Sequence, residues 1–129
     1  PVTISNGLGW NADCTTMYYI DTRTLEVAAF DYSLADGNIG ARRVVTTLDE
    51  TDGHPDGMCV DSDGSLWVAL WGGREVRHFS PDGHHLDSVS VDAQNVSCCT
   101  FGGGHMYITT ARIASPEQPG DGALYRWER

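Results

Sequence analysis

A short motif that opens at Ser5-Asn6-Gly7-Leu8 returns as Pro55-Asp56-Gly57-Met58 and again, more weakly, as Val96-Ser97-Cys98-Cys99. Each copy then runs into an aromatic strand: Met17-Tyr18-Tyr19-Ile20, Leu66-Trp67-Val68-Ala69 and His105-Met106-Tyr107-Ile108. Recurrence at this period marks a repeat architecture, in which one supersecondary unit buries its apolar face only against neighbouring copies. Each copy also places a different polar residue, Asn6, Asp56 or Ser97, just ahead of its first buried strand. In a radial fold such equivalent positions converge on one axis. Chemistry is expected there.

Helical periodicity is absent, and short β-branched and aromatic runs alternate with Asp-Gly and Gly-Gly turn signals. Strands are expected near 7–10, 17–21, 26–32 and 43–48, near 58–60, 66–71, 75–80 and 86–91, and near 96–101, 106–110 and 123–127. Leu66 to Trp71 is apolar on both faces, the pattern of a strand sandwiched between neighbours. The reading is all-β, with about three four-stranded antiparallel propeller blades in one unit over 1–129, at 1–49, 55–92 and 96–129. The last blade is one strand short, and Pro1-Val2-Thr3-Ile4 reads as a surplus strand at the start.

Eighteen acidic against eight basic residues give a formal net charge of −10, which argues against nucleic acid and against anionic membrane surfaces as partners. No apolar run reaches the ~20 residues of a membrane span, and no signal peptide opens the chain. Cys14, Cys59, Cys98 and Cys99 show no C-x-x-C spacing and read as free thiols in a reducing, cytoplasmic setting. Cys98 and Cys99 should face opposite sides of their strand. Cys59 and Cys98 read as equivalent, small buried positions. The tryptophans are expected to pack between blades, with Trp71 the one placed to rim a pocket.

In series, Val2-Thr3-Ile4-Ser5-Asn6-Gly7-Leu8, Met17-Tyr18-Tyr19-Ile20-Asp21, Phe30-Asp31-Tyr32, Arg42-Arg43, Pro55-Asp56-Gly57-Met58-Cys59-Val60-Asp61, Gly64-Ser65-Leu66-Trp67-Val68-Ala69 and Ser97-Cys98-Cys99 carry a resemblance. The chain resembles the C-terminal half of the senescence marker protein (regucalcin), gluconolactonase and luciferin-regenerating-enzyme family of six-bladed β-propeller lactonases. The resemblance implies three blades of six. It also implies one divalent metal on the central axis, held in the family by a Glu, two Asn and an Asp. Asn6 matches one of those asparagines and Asp56 the aspartate, which is also the candidate catalytic base. The Glu and the other Asn match nothing in this chain.

Amide and carboxylate oxygens are hard ligands, suited to calcium first, then magnesium or manganese, and tolerable to zinc. Read without the resemblance, Asn6 before Gly7 and Asp56 between Pro55 and Gly57 are better explained as turn formers; the resemblance turns the reading to a metal site. Asp61 and Asp63 read as a hairpin turn, since no glutamate stands where a calcium loop needs one. Three functions follow as expectations: a lactonase whose site is completed by assembly, a non-catalytic binding or scaffold module, or an inactive remnant. For the first, a homodimer is expected in which each N-terminal strand completes the last blade of its partner.

Overall fold

The computed structural model describes residues 1–113 and 120–128. Within them lie eleven strands, and the only helical segments among the described residues are two 3₁₀ turns of three residues. The strands are β1 (Ser5–Trp10), β2 (Thr16–Asp21), β3 (Glu26–Tyr32), β4 (Ile39–Thr47), β5 (His54–Val60), β6 (Leu66–Trp71), β7 (Glu75–Phe79), β8 (His85–Ser90), β9 (Asn95–Gly102), β10 (His105–Ala111) and β11 (Leu124–Glu128). Every expected run from residue 7 onward has its strand. Positions 114–119 and 129 of the third expected blade lie outside the described residues. No helix among the described residues is long and apolar enough to cross a membrane.

β1 to β4 form one four-stranded antiparallel sheet, and β5 to β11 form a second sheet of seven. Inside the second, β5 to β8 and β9 to β11 are two meanders that share, among the described residues, one ladder pair, Trp71↔Asn95. The first strand of each set packs on the next, β1 on β5 and β5 on β9. This is a propeller-like arrangement, with the leading strands gathered on one side.

β6 holds the centre. Leu66, Val68 and Leu70 pack toward the first sheet, while Trp67 and Ala69 pack toward β9 and β10. Side chains alternate across a strand, so an apolar run on both faces serves two cores at once. Trp67 stacks on His78 at a centroid distance of 3.8 Å and meets Phe101 edge-on at 5.6 Å. At the outer edge, Arg42 and Arg43 of β4 pair with Glu26 and Asp31 of β3. Such exposed pairs add little stability, but charge on an edge strand discourages further pairing.

Two expectations are corrected. Residues 1–4 are not a strand. The amides of Thr3 and Ile4 donate to the Asp21 carboxylate at 2.8 and 2.9 Å, and the Ile4 carbonyl accepts from Thr22 N at 3.0 Å. A carboxylate has taken the donors that a ladder would use. These amides, Ile4 first and then Thr3, hold the Asp21 carboxyl below its usual value. The second correction concerns the thiols. Cys98 is exposed and Cys99 buried, so it is Cys99 that faces Cys59, with sulfurs 3.7 Å apart. Counted from Asp56 and Ser97, Cys98 takes the place of Gly57 and Cys99 that of Met58.

Candidate functional site

The three leading strands share a defect that their sequences do not announce. On β1 three steps, from Ser5 to Leu8, oppose two on β2, from Asp21 to Tyr19. On β5 three steps, from Pro55 to Met58, oppose two on β6, from Leu70 to Val68. On β9 two steps, from Val96 to Cys98, oppose one on β10, from Thr110 to Thr109. Each strand thus carries one extra residue, a β-bulge, and the bulges hold Asn6, Asp56 and Ser97. Bulges re-aim side chains and recur beside active sites.

Glycine follows the first two bulge residues for a steric reason. A Cβ on Gly7 would stand 2.7 Å from the Asp56 carbonyl oxygen, and one on Gly57 would stand 2.6 Å from the Ser97 carbonyl oxygen. The motifs Asn6-Gly7 and Asp56-Gly57 are therefore close-approach points between neighbouring leading strands. They are not tight turns.

Asn6 and Asp56 come together on the wall of one cavity of about 390 Å³, with Ile4, Thr22, Arg23, His54 and Trp71 around them. Ser97 does not join them; its hydroxyl pairs with that of Thr109 at 2.9 Å. The Asn6 amide nitrogen donates to the Thr22 hydroxyl at 3.0 Å, and that hydroxyl donates to the Pro55 carbonyl at 2.8 Å. Thr22 is buried, so this relay ties the first bulge to the residue preceding the second. It also fixes the amide's orientation and leaves its carbonyl oxygen for another partner. Burial pushes the Asp56 carboxyl above its ordinary value, partly offset by a hydrogen bond from the Asn6 side chain.

A half-buried carboxylate with so little compensation favours a nearby cation. Its oxygens and the Asn6 carbonyl are hard donors, chemically fitted to calcium or magnesium. They are two residues only, and no group of three or more His, Cys, Asp or Glu gathers among the described residues. The set fits a cation as part of a larger shell.

The sequence pointed to Asn6, Asp56 and the rim position of Trp71, but not to Thr22, Arg23 or His54. Thr22 follows a strand end and reads as an ordinary turn residue. His54 was legible only through its register partner, since it pairs with Trp71 across β5 and β6. Thr22→Val keeps the shape and removes the relay, stranding the Asn6 amide and the Pro55 carbonyl. A loss of about 1–3 kcal/mol in urea unfolding is expected, with Thr22→Ser close to wild type.

Comparison with known proteins shows the family and the fold. Residues 1–112 match the SMP-30/Gluconolactonase/LRE-like region. Regucalcin of Homo sapiens is 42% identical over 97% of this chain and 45% of its own length. A solved luciferin-regenerating enzyme superposes with a TM-score of 0.90 at 31% identity, covering 99% of this chain and 46% of that one. A gluconolactonase from Xanthomonas campestris gives 0.77 at 30% identity, over 98% of this chain and 38% of that one. The chain spans less than half the length of these relatives. It belongs to the SMP-30/gluconolactonase/LRE-like family.

Proposed function

We propose that this chain carries one part of a metal-dependent sugar-lactone hydrolase site, in which Asn6 and Asp56 give oxygen ligands to one divalent cation, calcium first. The observation that carries the proposal is the pair itself: matched bulges on adjacent strands aim an under-compensated carboxylate and a fixed amide into one cavity. A bound cation would supply Lewis acidity at the lactone carbonyl. Asp56 takes the proton of the attacking water, and its raised pKa makes it a better base for that transfer than an ordinary carboxylate. Thr22 holds Asn6 in place through the relay. Trp71 offers a flat apolar wall to a sugar ring, and Arg23 and His54 offer polar atoms to its hydroxyls.

The proposal includes three blades, with the seven-stranded sheet divided at Trp71↔Asn95, and further ligands from outside residues 1–129. A second copy of the chain, as a two-fold homodimer, is the proposed source. Leu8 and Trp10 support it: on β1, Gly7 and Gly9 face Ile20, Met58 and Val60, while Leu8 and Trp10 stand 48% and 37% exposed. That apolar face wants a cover. Residues 1–4 are held by their own chain, so the contact is expected to be face to face rather than strand exchange. The scarcity of ligands within the chain favours a second reading, a binding module without catalysis.

Hydrolysis of an aldonolactone by the purified chain, followed with calcium and with a chelator, tests the function, and light scattering on the same sample tests the assembly. Cation-dependent ring opening by a dimer is expected. A stable micromolar monomer would sink the dimer. Cation binding without turnover would leave the binding module.

A further inference from the structure

Outside the cavity, the two thiols that face each other across the leading strands form the most pointed chemical arrangement in the molecule. Cys59 lies on β5 and Cys99 on β9, with 3.7 Å between sulfurs. The two strands pack without sharing a ladder, so no hydrogen-bonding pattern accounts for the approach. Cys59 is half-buried and Cys99 buried, with the Cys99 thiol also donating to the Trp67 carbonyl at 3.4 Å.

We propose that Cys59 and Cys99 are a reversible oxidation site, closing to a disulfide that staples the second strand set to the third. The sulfurs need to approach by less than about 2 Å to reach bonding distance near 2.05 Å. The oxidant is a peroxide. Cys59, the partly exposed member, attacks as thiolate and breaks the O–O bond, giving a sulfenic acid and, with its former proton, one water. Cys99 then attacks the sulfenic sulfur, the S–O bond breaks, and hydroxide leaves as a second water with the Cys99 proton. Two sulfurs lose two electrons to the peroxide, and a small dithiol reverses the reaction.

The geometry assigns each partner its step. Peroxide reaches the partly exposed Cys59 before the buried Cys99, and the Cys59 contact and burial push the Cys99 thiol well above its ordinary value, which makes it a poor first nucleophile. The staple would add a covalent link to a junction that shares one ladder pair, Trp71↔Asn95, and is otherwise held by packing of β5 and β6 on β9. It would also fix β5 three residues beyond Asp56.

The test treats the folded chain with one to two equivalents of hydrogen peroxide, unfolds it in alkylating reagent, and maps the peptides by mass spectrometry. Alkylatable thiols are expected to fall from the four of the reduced chain to two, with Cys59 linked to Cys99 within one chain. The thermal midpoint is expected to rise by roughly 5–10 °C and to return with dithiothreitol. Cys59→Ser and Cys99→Ser should abolish the link, while Cys14→Ser and Cys98→Ser keep it. Four thiols still alkylatable, irreversible sulfinic acid without a link, or a link through Cys14, Cys98 or a second chain each overturns the proposal. The wild-type peptide map decides the matter even if Cys99→Ser does not fold.

Discussion

Asp56→Asn is expected to lower cation-dependent lactone hydrolysis by on the order of 10³-fold or more, because one substitution removes both the proposed base and an anionic ligand. The same variant should fold, and at neutral pH it should be somewhat more stable than wild type. The sign follows from the carboxyl's environment. Burial raises the Asp56 pKa in the folded chain above the ordinary aspartate value of 3.8. The folded state therefore holds this proton more tightly than the unfolded chain does. Stability from this group is full below the unfolded value and is lost as pH rises through the folded one. Urea midpoints of wild type and Asp56→Asn should differ at pH 7, and the gap should close as the pH falls toward 3.8. A residue that lowers stability where the protein works marks a site kept for function. If Asp56→Asn were less stable than wild type at pH 7, with activity untouched, Asp56 would be a structural residue and the site would be misplaced.

A large structural effect is expected at Gly57→Ala. A Cβ there would sit 2.6 Å from both the Cys98 sulfur and the Ser97 carbonyl oxygen. One obstacle is backbone, so the relief must come from moving β5 away from β9. A loss of about 3 kcal/mol or more is expected, roughly 10 °C in thermal midpoint for a chain of this size. Gly7→Ala meets the Asp56 carbonyl oxygen at 2.7 Å, but its other neighbours are Met58 Cγ and the terminal Ile20 Cδ1, atoms of flexible side chains that can shift. A smaller loss is expected there. The comparison separates close approach from turn geometry as the reason for these glycines. If Gly57→Ala unfolds at the wild-type urea concentration, the packing of leading strands is looser than described.

Much of this architecture was legible in the residues, since apolar runs and turn signals are local. Leu66 to Trp71 needed only its doubly apolar pattern to be placed at the centre. The shared place of Asn6 and Asp56 on one cavity wall was legible because the motif repeats, so equivalent residues share a position in successive units; their role as ligands rests on the family resemblance and stays a proposal. The bulges were not legible. An extra residue on one strand is defined by its partner's register, which is a long-range property. For the same reason Cys98 was read as the buried thiol in place of Cys99, and the relay through Thr22 joins residues 16 and 33 positions apart in sequence. The N-terminal segment failed for a different reason: Val2 and Ile4 have strand propensity, but the Asp21 carboxylate captured the neighbouring amides.

Calorimetric titration of calcium into the purified chain, beside the same titration into Asp56→Asn, tests the account most directly. A saturable binding isotherm in the wild type that disappears in Asp56→Asn, with both proteins folded by circular dichroism, is the predicted result. Saturable binding of equal strength in both, or none in either, would contradict the claim that the Asn6 and Asp56 bulges form a cation site.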